Sequence, residues 1–419
     1  MTRLLILAFL LALFANSAFG QETPGPSPEA ALDATLGKTL FERVWVSAPA
    51  STDAADGLGP LFNARSCAAC HSKTGQKPVK FGSNGQVLST NLLIRLGSPE
   101  GLNDPVYGRQ IQTEAIQGQT PEGGIVATWE PIIPGDGPPL RAPRFTLENP
   151  AFGPLAPGTR LSGRRPPDLR GAGLIDRVPE AIILAQADPD DADGDGISGR
   201  PNWLPGPDGR RAIGRFGWKA TEPDLAAQTA TALHLDIGLS SPRHPGSSGD
   251  CTPAQTACRA APGGASPRFG KAEVSTDMIT LITRYLTALP PPDATKESPK
   301  QSITLFAQTG CAACHRPAFA LKDGQQVPAF TDLLLHDMGP GLADGIKEGT
   351  ATGQEWRTAP LWGLGAAIRD KRPLLHDGRA ANVTEAILWH EGEAAAARAA
   401  FQALSLNNRT RLLIFLAGL

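Results

Sequence analysis

The sequence predicts a mainly α-helical protein of two related domains, with a loop- and strand-rich insertion in the N-terminal half. Three observations carry this expectation. One segment design occurs twice, as Phe62-Asn-Ala-Arg-Ser-Cys67-Ala-Ala-Cys70-His71 and as Phe306-Ala-Gln-Thr-Gly-Cys311-Ala-Ala-Cys314-His315. Each copy follows a helix-like stretch, Leu36 to Val46 and Ser302 to Ala307. A third stretch of helical apolar spacing, Thr276 to Leu289, runs into Pro290-Pro-Pro, which cannot continue a helix.

From the N-terminus, Arg3 and the apolar run Leu4 to Ala15 lead to Ala18-Phe19-Gly20, a small-x-small site before Gln21-Glu22. This reads as a secretory signal over residues 1–20, cleaved near Gly20-Gln21. The run is short for a membrane span of roughly 20 residues. The mature protein is therefore expected in the periplasm with no membrane span. Residues 78–165 hold short apolar runs broken by Gly and Pro, such as Gly124-Ile-Val-Ala-Thr-Trp-Glu, and read as strands and turns. The expected organisation is an N-terminal domain over 21–290, with the insertion, and a C-terminal domain over 296–419.

Composition narrows the function. The 419 residues carry a net charge of −2, with no basic stripe to meet phosphate, so nucleic acid is not an expected partner. Gly (46) and Pro (39) make up about a fifth of the chain, which points to long ordered loops.

Of six cysteines, four fall in two Cys-x-x-Cys-His motifs. Two thiols at this spacing add to the vinyl groups of a haem, and the next residue turns an imidazole onto its iron. A zinc site would need further Cys or His at ligand spacing, and none is near. The expected cofactors are two covalently bound haem c groups, on Cys67, Cys70, Cys311 and Cys314, with His71 and His315 as iron ligands. Each domain is thus expected to be cytochrome c-like. The remaining Cys251 and Cys258, seven residues apart in an exported chain, are expected to pair as a disulfide.

What fills the sixth position of each iron decides function. Five other histidines exist: His234, His244, His336, His376 and His390. His390 ends a helical-period stretch for which Thr384 is a candidate N-cap, beside Trp389. It reads equally as a ligand or as a core histidine, and Met338 competes with it. No histidine occurs between His71 and His234, which is compatible with an open position on the first haem, or with a methionine or a distant ligand there.

Asp188-Pro-Asp190-Asp191-Ala-Asp193-Gly-Asp195-Gly196 is dense in carboxylates. Asp191, Asp193 and Asp195 alternate before Gly196, as in the opening of a calcium loop of EF-hand type, but Asn202 stands where the closing glutamate would be. A Ca2+ site is expected there; a solvated acidic turn is the alternative.

These motifs together resemble one family. The haem segment at 62–71, the Asp-Gly-Asp-Gly-Ile-Ser-Gly-Arg loop, Gly214-Arg-Phe-Gly-Trp-Lys-Ala, Asp236-Ile-Gly-Leu-Ser-Ser, Thr331-Asp-Leu-Leu-Leu-His-Asp-Met-Gly, Glu355-Trp-Arg-Thr-Ala-Pro-Leu-Trp-Gly-Leu and Leu375-His-Asp-Gly-Arg-Ala are similar to those of the di-haem oxidoreductases. These are peroxidase-type proteins within the bacterial di-haem cytochrome c peroxidase superfamily, and the likeness covers nearly all of the mature chain. It implies reduction of hydrogen peroxide at the N-terminal haem, with electrons relayed by the C-terminal haem from a small redox protein or another donor. It implies a ligand at the offset of His390, where the better-known members carry methionine. A bis-histidine second haem would have a lower potential. It also implies a general acid/base carboxylate at the first haem, for which Glu114 with Gln110 are the candidates and Glu122 the alternative. Trp218 is implied to lie between the haems. A non-catalytic electron carrier, or an enzyme oxidising an organic or protein substrate, are the competing functions.

Overall fold

The computed structural model describes residues 27–419, apart from 52–54, 73–74, 77–78, 90, 134–137, 207–208 and 293–299. The expected signal segment and most of the expected linker lie outside these residues.

The chain opens with α1 (Pro28–Glu42). Ser27 caps it, its Oγ accepting from Ala30 N at 3.2 Å, and Pro28 presets the first turn. The first motif forms the single turn α2 (Cys67–Cys70). Strand β1 (Leu93–Gly97) follows, then the hairpin β2 (Gly124–Ile132) and β3 (Leu140–Glu148), then β4 (Arg160–Arg164). The hairpin is antiparallel from Gly124↔Glu148 to Ile132↔Leu140, and β1 pairs with β4 from Leu93↔Arg164 to Gly97↔Arg160. Helix α3 (Leu225–Asp236) starts at Asp224, whose carboxylate accepts from Ala227 N at 2.7 Å. Helix α4 (Thr276–Ala288) completes the first half.

After the prolines, α5 (Lys300–Gln308) leads to the second motif. Strands β5 (Leu335–Asp337) and β6 (Glu355–Arg357) pair, and α6 (Val383–Leu388), α7 (Ala395–Ala403) and α8 (Leu406–Leu416) close the chain. Asn382 caps α6 by accepting from Glu385 N at 2.9 Å, so the cap is not Thr384.

The expectation of a mainly α, cytochrome c-like architecture is not met. Only 30% of residues are helical and 18% lie in strands, arranged as seven separate two-stranded sheets among the described residues. Strands are also not confined to the N-terminal half. Proline explains much of this, since it removes a backbone donor and blocks helix interiors. Thr331 to His336 shows a second cause. This run is buried throughout, its polar Thr331, Asp332 and His336 included, and a short buried run around Leu333-Leu-Leu335 fits a strand as well as a helix. Leu335 exchanges both backbone hydrogen bonds with Arg200, at 2.8 and 3.1 Å.

Two close packings position the site. At Gly37, α1 crosses α4 so tightly that a Cβ would lie 1.9 Å from Leu281 O. That contact lets Phe41 reach both Tyr285, at 5.3 Å, and His71, at 6.3 Å between ring centroids. The largest core gathers Leu40, Trp45, Ile183 and Leu233 with Phe319, Val327 and Leu334, so residues after 300 complete a core begun before it. Likewise Leu140 and Ala142 of the hairpin pack against Trp356 and Trp389. Cys251 and Cys258 are disulfide-bonded, with Cα atoms 6.3 Å apart. No helix among the described residues is long and apolar enough to cross a membrane.

Candidate active site

Both Cys-x-x-Cys-His motifs open onto one cavity of about 730 Å³. Ser66 caps the first motif's turn, its Oγ accepting from Ala69 N at 3.2 Å. Gly310, at φ +87°, starts the second, and His315 N closes it on Cys311 O at 3.0 Å. In each motif the turn brings thiols and imidazole to the same cavity.

The two motif histidines are prepared alike. His315 Nδ1 donates to the Phe330 carbonyl at 3.0 Å, which leaves Nε2 available. His71 is held by the Pro167 carbonyl. Burial pushes both down to about 4, against the upward pull of those carbonyls and of Asp168 and Asp332. Both are therefore neutral at pH 7, as metal ligation requires. His390 is set the same way, its Nδ1 donating to Ala386 O at 2.8 Å, and burial lowers it too. After burial, His390 is the largest influence on His315, so these rings share one part of the cavity.

His336 is different. Its Nε2 lies 2.9 Å from Asp332 and its Nδ1 2.7 Å from Glu393. Burial opposes its charge, but the two carboxylates and Cys314 win and raise it to about 12. An imidazolium with both nitrogens engaged has no lone pair for a metal. His336→Gln would leave two buried carboxylates without their cation. The expected cost is about 3–5 kcal/mol, read as a lower denaturation midpoint in guanidinium at unchanged slope. An unchanged midpoint would refute this ion cluster. Met338 also lines the cavity, half-buried beside Trp218 and Leu342.

Beside the first motif the wall carries charge. Glu222, Asp236, Arg95 and Arg109 all face the cavity. Burial raises Glu222 and Asp236 above the usual carboxylate range, against the pull of Arg95 on both. Asp236 in turn acts on Cys67, which places this cluster at the first motif. Gln110 stands behind it. Its Nε2 donates to Asp236 at 2.8 Å and to Leu235 O at 3.2 Å, so it orients that carboxylate without reaching the cavity. Glu114 is exposed, in a two-residue strand paired with Leu61–Phe62, and does not line the cavity. Glu122 is buried and raised to about 8 by burial, but it is tied to Gln112 N at 2.6 Å and to Gln255 at 2.5 Å, off the cavity wall. The sequence points to a carboxylate close after His71, whereas the cavity wall presents Glu222, three residues beyond Lys219 of the Gly-Trp-Lys segment.

Trp218 lies on the cavity wall, its indole N–H donating to Arg165 O at 2.7 Å. Its ring meets His376 edge-on at 6.3 Å, and His376 stacks on Trp356 at 3.7 Å. In the acidic loop, carboxylate oxygens of Asp188, Asp191 and Asp193 come within 4.8 Å of one another. Asp195 instead lines the cavity. Asn202 is committed elsewhere, donating to Lys219 O and Glu348 O.

Residues 11–94 and 155–419 match the family described as "di-haem oxidoreductase, putative peroxidase". The chain belongs to this di-haem oxidoreductase family. The two matched segments flank the β2–β3 hairpin, and Gln110, Glu114 and Glu122 fall between them. No curated protein matches the chain.

Membership implies haem, and the cavity of this di-haem oxidoreductase suits it. Each motif supplies thiols and a neutral imidazole. Haem also brings two propionate carboxylates, and the wall offers cations without a full set of partners. Arg95 Nη1 and Arg215 Nε are buried and have no hydrogen-bond acceptor among the described residues. Among the described residues Arg357 donates only to the carbonyls of Gly217 and Thr358, each at 3.0 Å, and burial lowers it to about 10. Buried guanidinium groups of this kind are stabilised by a carboxylate.

Proposed function

We propose that this di-haem oxidoreductase is an exported peroxidase that reduces hydrogen peroxide at its N-terminal motif. One observation supports this above the others: the cavity wall beside Cys67-Ala-Ala-Cys70-His71 carries a carboxylate raised by burial, Glu222, among arginines. The wall around the second motif instead presents His390 near His315.

In this reading haem c is attached through Cys67 and Cys70 and through Cys311 and Cys314, with His71 and His315 as ligands and His390 completing the second site. Haem supplies the redox-active iron for peroxide reduction. Glu222 takes a proton from one peroxide oxygen and returns it to the other, so that water can leave. Arg95 and Arg109 stabilise negative charge that develops there. Trp218 lies along the route between the two motifs. Electrons come from a small redox protein. A Ca2+ ion binds the acidic loop through Asp188, Asp191 and Asp193, with Asp188 in place of Asp195.

Low-temperature EPR of the oxidised and half-reduced protein tests the reading. A high-spin signal lost on adding peroxide, beside a bis-histidine low-spin signal that disappears in His390→Ala, is the expected result. Two low-spin signals that ignore peroxide in both states would leave an electron carrier instead.

A further inference from the structure

The wall beside the first motif connects to the surface through side chains with no role in the chemistry above. Thr231 of α3 donates its hydroxyl to Glu222 Oε1 at 2.9 Å, and His244 Nε2 lies 3.2 Å from the same hydroxyl. Glu222 faces the cavity. His244 is half-buried between exposed Arg243 and Pro245. Imidazole, hydroxyl and carboxylate thus follow one another at hydrogen-bond distance from the surface inward.

The direction of the bonds suits transfer. A threonine hydroxyl both accepts and donates. A proton arriving from His244 at Thr231 Oγ1 releases the hydroxyl's own proton to Glu222. The charges around the chain suit it as well. Burial and then Arg109 and Arg243 hold His244 below its ordinary value, so it does not retain the proton. His234, neutral with burial lowering it to about 4, stacks on the His244 ring at 4.8 Å and 13° and fixes its orientation. Arg109, Arg243 and Arg95 also act on Glu222.

The geometry points to His244, Thr231 and Glu222 as a proton-conducting chain from solvent to the cavity beside the first motif. The inference rests on the peroxidase reading for its purpose. Reduction of one peroxide to two waters consumes two electrons, taken from a one-electron donor protein, and two protons, taken from bulk water. The chain supplies those protons. Thr231 and His244 are positioning residues in this scheme, since they act through Glu222.

Two measurements on the holoprotein test it. The first follows proton uptake with a pH-indicator dye in stopped flow after peroxide is mixed with the reduced protein. Thr231→Val should slow uptake about tenfold or more, and Thr231→Ser should restore it. Uptake in Thr231→Val at the wild-type rate overturns the chain and leaves the peroxidase reading standing. The second needs no peroxide. The His244 imidazole is titrated by NMR on histidine-labelled protein. Its shift should show a second inflection from Glu222, lost in Glu222→Gln and in Thr231→Val but kept in Thr231→Ser. A single inflection identical in all four proteins overturns the connection, whatever the reaction of the wild type with peroxide. A chain connected by NMR in a protein inert to peroxide would instead refute the peroxidase reading alone.

Discussion

Cys67→Ser combined with Cys70→Ser lowers the intact mass by one haem and halves the pyridine haemochrome absorbance per chain. The matching change at Cys311 and Cys314 does the same independently. The expectation follows from the placement of the thiols. Cys67, Cys311 and Cys314 are partly accessible from the cavity, and burial raises Cys67 to about 12 and Cys311 to about 11. Thiols in such surroundings do not bind zinc readily, because the thiolate is the metal-binding form. Addition to a vinyl group has no such requirement for a standing thiolate. The histidines separate attachment from ligation. His71→Ala keeps the covalent haem mass but loses the iron's protein ligand, so the absorption spectrum changes while the mass does not. An unchanged haem content in either double-cysteine variant would remove the attachment reading for that motif.

Glu222→Gln is expected to lower the rate of peroxide cleavage by roughly 10²–10⁴, the range for loss of a general acid/base, while Glu114→Gln leaves it within about twofold, since surface changes seldom matter. The comparison is informative because both are glutamates on the N-terminal side, and only burial and cavity access distinguish them. The pH dependence adds a sign. Glu222 must be ionised to take the first proton, and burial raises it despite the Thr231 hydroxyl and three arginines. The rate in wild type should therefore climb as pH rises through a region above the ordinary carboxylate range. In Glu222→Gln that inflection should vanish. A wild-type inflection surviving in Glu222→Gln would transfer the role to Asp236, which faces the same space.

The two Cys-x-x-Cys-His motifs were plain in the sequence because their signal lies within five consecutive residues. The helices Thr276–Ala288 and Lys300–Gln308 were also legible, since apolar period and proline stops are local signals. The balance of helix and strand was not. Pairs such as β1 with β4 join segments some 65 residues apart, and nothing local to either strand announces its partner. The site divides the same way. His390 stands out in the sequence by its motif offset, and the structure brings it to the cavity near His315, although the cap of its helix is Asn382. Glu222 was not, because what singles it out is burial beside a motif about 150 residues earlier. The acidic loop shows the intermediate case. The alternation singles out Asp191, Asp193 and Asp195, but the turn brings Asp188, rather than Asp195, together with Asp191 and Asp193.

The cavity shared by the two motifs also constrains the order in which the protein can be assembled. Its wall draws on residues from Phe41 to Leu416, so it closes only when nearly the whole chain is in place. Without haem, the arginines and carboxylates on that wall, among them Arg95, Arg215, Glu222 and Asp236, would face water in place of a cofactor, and the apolar part of the wall would lose its packing partner. The haem-free polypeptide is therefore expected to be less stable and to be cut faster in limited proteolysis than the holoprotein. If haem c is attached as proposed, thioether formation would precede closure of that wall, and the two haems would serve as the template around which it packs.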